Sequence, residues 1–210
     1  MKLFSMDGKL LDYFNQITDL IVLNLLWLVC CLPVFTIGAS TSALYQVTLQ
    51  IAENKDSYIS KSFFKAFREN FRQSTIVWLI CFFLSAVLLS DLFIVSHFFT
   101  SSQMPVMTIL ILFLTLLLVS GFVYLFPVIA YFKNSTRKIF TNSFGLAFSH
   151  PVTTLQLLLL SLIPVLTGIL FHNNIILGSF LLVIIIPAAT AFFQSVLLTR
   201  LFQKVRVIAQ

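Results

Sequence analysis

Charge is scarce in this sequence, and the scarcity is unevenly spread. Charged residues occupy 10% of the 210 positions, where soluble domains carry about 25%. Together with 59% hydrophobic residues and a mean hydropathy of +1.02, that deficit excludes a soluble globular fold and makes the chain an integral membrane protein. Four intervals lack charge altogether: Leu20 to Ala52, Gln73 to Ser90, Leu92 to Phe132 and Ile139 to Thr199. A charge at the bilayer centre costs at least ~2.5 kcal/mol, and a spanning helix needs about 20 apolar residues. The charge-free intervals are therefore where the spans lie.

The groups that carry chemistry are also missing. Three cysteines, Cys30, Cys31 and Cys81, fall inside apolar intervals without metal-ligand or CxxC spacing. The three histidines, His97, His150 and His172, form no HExxH pattern, and nucleotide-binding loops are absent. The nearest approach to a GxSxG elbow, Gly38 to Ser42, lacks the closing glycine. No catalytic residue, cofactor site or metal site is expected. Asp91 is the one acid within a predicted span; about 28 Å along the helix from Arg72, it reads as an interfacial carboxylate, with a functional intramembrane acid as the sharper alternative.

What remains predicts an all-α membrane bundle in one domain, 1–210. Five spans are expected at about 17–37, 74–96, 105–132, 152–171 and 175–199, the long last interval being split by His172, Asn173 and Asn174. Residues 1–16 place Leu3, Met6, Leu10 and Phe14 at helical spacing and read as an interfacial helix. The run that follows is too long for a signal-peptide core and lacks an A-x-A site, so the first span is expected to stay in the mature chain.

Lys and Arg set the orientation. Lys55, Lys61, Lys65, Arg68 and Arg72 follow the first span; Lys133, Arg137 and Lys138 follow the third; Arg200, Lys204 and Arg206 end the chain. These are 11 of the 13 basic residues, and the other two connections carry none. The positive-inside rule then puts the basic segments in the cytoplasm and, with five spans, the N-terminus outside. The net charge of +6 is thus a topology signal, not a sign of nucleic-acid binding.

Residues 58–72 form an amphipathic stretch in which Lys61, Lys65, Arg68 and Arg72 share one stripe and Phe63, Phe67 and Phe71 an adjacent one. Such a helix suits anionic headgroups of the inner leaflet, or a docking partner. Phe140, Phe144 and Phe148 repeat the spacing in the next cytoplasmic loop. With Pro33 and Pro127 late in the first and third spans and a further proline, Pro187, in the fifth, a parallel repeat of hairpins is expected, against the chance spacing that 24 Phe make common.

The chain is organised around residues 24–45, NLLWLVCCLPVFTIGASTSALY. Pro33 interrupts an apolar helix, and the small residues after it, Gly38, Ala39 and Ser42 among them, predict a closely packed elbow on the cytoplasmic side. Asn24, Gln156 and Gln194 place amides within spans, where they need partners. Hydrogen bonds between helices account for them; lining of a polar cavity is the alternative.

The run LWLVCCLPVFTIGASTSALY, the following FFKAFRENFRQST and Trp78 just beyond it resemble the YesL-like family of bacterial multi-pass membrane proteins over essentially the whole chain. The resemblance implies a cell-membrane location and an association with carbohydrate uptake by ATP-driven importers, and it supplies no catalytic residues. The expected function is a non-enzymatic accessory or regulatory component of oligosaccharide uptake, with importer subunits as partners. The chain does not resemble an importer permease, for its cytoplasmic loops hold no EAA-type sequence. The alternatives are a homo-oligomeric small-solute transporter acting on its own and, behind it, an intramembrane enzyme, which would need acid–base groups at membrane depth.

Overall fold

A computed structural model of the chain describes residues 3–53, 55, 58–98, 104–170 and 185–208. Among these residues every regular element is helical. α1 runs Leu3–Cys31, α2 Ile37–Ala52, α3 Ile59–Phe98, α4 Met104–Tyr131, α5 Thr136–Ser149, α6 Pro151–Leu170 and α7 Ile186–Ile208, with a single 3-10 turn, Val34–Thr36, between α1 and α2. Three of them, α3, α4 and α6, are long and apolar enough to cross a membrane. They match the spans expected over 74–96, 105–132 and 152–171. Much of the fifth expected span, 175–199, and its flanking tripeptide His172–Asn174 lie outside the described residues.

The first expected span, 17–37, is corrected. The interfacial helix and the start of that span merge into α1, which stops at Cys31. Pro33 is extended (φ −78°, ψ 121°) and offers no backbone donor, and the Thr36 hydroxyl reaches back to the carbonyls of Cys30 and Pro33, both at 2.6 Å. The chain then reverses. Trp27 Nε1 donates to Thr41 Oγ1 across the break at 3.3 Å, and Leu23 packs with Ala43, Leu44 and Val47. From Leu20, just past the last charge of α1, to Cys31 the helix advances about 17 Å, short of the ~30 Å hydrocarbon core. The small residues expected in an elbow are the buried start of a helix: Gly38, Ala39, Ser40, Ser42 and Ala43 of α2 are all inside the protein.

α2 is the centre of the bundle. Contacts on α3 descend as α2 ascends: Gly38 faces Ser74 and Trp78, Ser42 accepts a hydrogen bond from Ser74 Oγ at 2.8 Å, and Gln46 accepts one from Asn70 at 2.9 Å. α7 runs alongside α2, where Thr48 and Ser195 join hydroxyls at 2.7 Å. The end of α2 also meets the end of α4, and Tyr131 of α4 stacks near Phe202 of α7 at 4.9 Å. Two apolar clusters flank α2, one around Tyr124, Val128, Leu157 and Phe202, the other around Leu23, Val47, Phe63 and Ala191.

Residues 58–72 are no separate interfacial helix. They are the first turns of α3, which runs unbroken into the membrane-length segment. Phe63 is fully buried and Phe67 packs beside it, so this part of the aromatic stripe faces α1 and α2, in place of the lipid contact expected. The repeat of hairpins also fails. Pro33 sits in a chain reversal, Pro127 inside a continuous helix and Pro187 in the first turn of α7.

Candidate functional site

Hydrogen bonds between helices account for two of the three amides singled out in the sequence. Asn24 Oδ1 of α1 accepts from the Ala188 backbone N–H at 3.1 Å. That donor lies in the first turn of α7, where helical N–H groups lack partners of their own. Gln194 of α7 accepts from the Tyr45 hydroxyl of α2 and donates to the Leu157 carbonyl of α6 at 3.1 Å. One side chain thereby fastens three helices. Gln156 does not join them: it is exposed on α6, on the second turn from Pro151. Asn24 meets the start of α7 and Gln194 meets Tyr45 and Leu157, while Gln156 lies on the exposed side of α6.

The small-residue segment is likewise packed. A Cβ at Gly38 would stand 2.5 Å from the Ser74 carbonyl oxygen, closer than any unstrained contact, so glycine is what lets α2 and α3 approach. Ser42 donates to the Ala39 carbonyl at 3.0 Å while accepting from Ser74.

A concave feature among the described residues lies elsewhere. A recess of about 420 Å³ opens between the ends of α2 and α4, lined by Gln46, Gln50, Glu53 and Lys55 on one side and Tyr131 and Lys133 on the other. Gln50 Oε1 is buried there without a protein partner, while Lys55 is ion-paired with Glu53. The recess can accept hydrogen bonds and presents the exposed Lys133, but it holds no nucleophile paired with a base. Among the described residues no cluster of three metal-ligating side chains occurs. Sequence reading passed over this recess; Gln46, Gln50 and Glu53 recur on one face of α2, yet their meeting with the end of α4 is a tertiary fact.

Basic side chains surround the same end. Lys61, Lys65, Arg68 and Arg72 are all exposed along the first turns of α3; Lys133 is exposed between α4 and α5, Arg137 and Lys138 in the first turn of α5, and Arg200 and Lys204 on α7. α5 is held against α4 where the Phe144 ring covers Gly121, and it buries Ile139, Ser143, Leu146 and Ala147. Phe148, by contrast, is exposed.

Comparison with known proteins bears on the segment that builds this arrangement. Residues 20–92, from the apolar half of α1 through the hairpin and into the membrane part of α3, match the family described as "Protein of unknown function, DUF624". The chain is 29% identical over 204 residues to "Uncharacterized protein YesL" of Bacillus subtilis (strain 168), covering 93% of this chain and 94% of that one. No solved structure matches. The likeness to YesL carried by the LPVFTIGAS run thus extends over nearly the whole length of both chains.

Proposed function

We propose that this chain is a non-enzymatic, multi-pass component of a bacterial cell membrane that assists or regulates carbohydrate uptake through contacts made at its basic end. The observation that carries this reading is the gathering of exposed Lys and Arg from α3, the α4–α5 connection, the start of α5 and α7 around one end of the bundle. By the positive-inside rule that end, with the C-terminus, is cytoplasmic. Among the described residues, the buried polar groups nearby form no acid–base pair suited to catalysis. The carbohydrate context and the partner, subunits of an ATP-driven sugar importer, rest on the YesL-like resemblance. Copurification from native membranes tests it. Importer subunits should be retained by the wild-type chain and lost when Lys61, Lys65, Arg68 and Arg72 are changed to Gln.

One observation favours a second reading, an oligomeric transporter of small polar solutes. The recess between α2 and α4 has the size of a small-molecule site and an unpartnered amide oxygen at Gln50. Uptake of labelled solute by proteoliposomes containing this chain alone would support that reading over the accessory one.

A further inference from the structure

We propose that α1 and α2 form a re-entrant hairpin, entering and leaving the bilayer on the basic side and seating its tip among the acyl chains of that leaflet. Three observations lead there. The first is depth. The tip is level with Trp78, whose Nε1 donates to the Val34 carbonyl at 3.0 Å. Trp78 lies about 9 Å along α3 beyond Arg72 and about 20 Å short of Asp91, inside the charge-free interval that must cross the membrane.

The second is the tip's surface. Leu32, Val34 and Phe35 are 76%, 61% and 54% exposed, and Val22, Leu25 and Val29 continue the apolar surface down α1. The membrane-length part of α3 carries the same kind of exposed surface at Leu79, Phe83 and Val87. Lipid that covers α3 at this level also covers the tip.

The third is how the turn treats its backbone. A non-helical turn in hydrocarbon has no water to satisfy its polar groups, so the protein must do so. Here Thr36 Oγ1 donates to the carbonyls of Cys30 and Pro33, Thr36 N to Pro33 O at 2.9 Å, Leu32 N to Val29 O at 3.3 Å, and Trp78 to Val34 O. Pro33 brings no N–H that needs a partner. A turn exposed to water would not require a threonine and a tryptophan for this purpose.

The hairpin brings the N-terminus to the side of the C-terminus, in place of the opposite side that a 17–37 span would give. The test uses single cysteines at Ser5, Phe35, Ser102 and Ser135 in a chain with Cys30, Cys31 and Cys81 replaced by Ser, probed with an impermeant maleimide on intact and opened cells. Ser5→Cys and Ser135→Cys should label from one side and Ser102→Cys from the other. Opposite-side labelling of positions 5 and 135 overturns the hairpin. If both label from outside, the hairpin stands and the cytoplasmic assignment of the basic end fails, so the two readings are separable. Phe35→Cys should resist the reagent from either side; labelling from either side overturns the proposal, and an oxidative dimer through Cys at 35 would put a second copy on the tip in place of lipid. The unmutated protein gives an independent readout, because its two tryptophans, Trp27 and Trp78, both flank the tip. In reconstituted vesicles, acyl-chain spin labels should quench their fluorescence more than headgroup labels; the reverse order overturns the proposal.

Discussion

Gly38 and Ser74 mark a close approach of α2 to α3: a Cβ on residue 38 would fall 2.5 Å from the Ser74 carbonyl oxygen and 2.6 Å from Trp78 Cβ. The first of these atoms is backbone, so no rotamer change relieves the clash. Gly38→Ala should therefore lower stability by about 1–3 kcal/mol, the usual cost of overpacking, and Gly38→Leu by more. Ser42→Ala, which removes one interhelical hydrogen bond and no volume the neighbours need, should cost about 0.6 kcal/mol. Thermal midpoints of the purified protein in detergent decide the matter. Equal midpoints for Gly38→Ala and the wild type would mean that the helices can separate here without loss.

The three membrane-length helices were legible because their signal is an absence: where no charge occurs for some 20 residues, little but a span fits. The same signal misled at residues 20–52. A charge-free stretch interrupted once by proline looks alike whether the chain continues across or turns back, and the contacts that decide it, Trp27 with Thr41 and Gly38 with Ser74, join residues distant in sequence. Spacing likewise placed Phe63, Phe67 and Phe71 on one face but could not say that Phe63 and Phe67 pack against α1 and α2. The amides were correctly suspected of needing partners, and for Asn24 and Gln194 those partners are in place. Gln156 shows the limit of that rule, since a glutamine so near the start of a span can remain exposed.

Thr36 should be more sensitive than its size suggests. Its hydroxyl reaches the carbonyls of Cys30 and Pro33, and Thr36→Val keeps the shape while removing the donor. A loss of about 1 kcal/mol is expected, with Thr36→Ser recovering most of it. The comparison belongs in lipid nanodiscs, with thermal midpoints read for all three proteins. Thr36→Ser behaving as badly as Thr36→Val would show that the methyl group, not the hydroxyl, is what the turn requires.

The amides should separate sharply from one another. Gln194→Leu leaves the buried Tyr45 hydroxyl and the Leu157 carbonyl without their partner, which costs about 1–3 kcal/mol. Asn24→Leu removes the acceptor for one N–H at the start of α7 and should cost about 1 kcal/mol. Gln156→Leu, at an exposed position, should stay within about 0.5 kcal/mol of wild type. Denaturation midpoints of the three variants give the order, and a large loss at Gln156 would assign it a contact outside this chain.

Gly121 and Phe144 provide a contrasting case to Gly38, and with it a test of how α5 is held. A Cβ at residue 121 would lie 2.4 Å from Cε1 and 2.5 Å from Cζ of Phe144. These atoms belong to a side chain on the half-buried face of α5, so the ring can swing aside where the Ser74 backbone cannot. Gly121→Ala should thus cost less than Gly38→Ala, on the order of 1 kcal/mol. Because the cost comes from one ring, it should largely vanish in a Phe144→Ala background, which makes the pair strongly non-additive. A double-mutant cycle on thermal midpoints measures this directly. If the two changes add, the loop residue Asn134, whose carbonyl accepts from Gln73 at 2.7 Å, and the buried face Ile139, Ser143 and Leu146 fix α5 without help from Phe144. If they couple, the ring over Gly121 is what fixes the orientation of α5, and with it the position of Arg137 and Lys138 at the basic end.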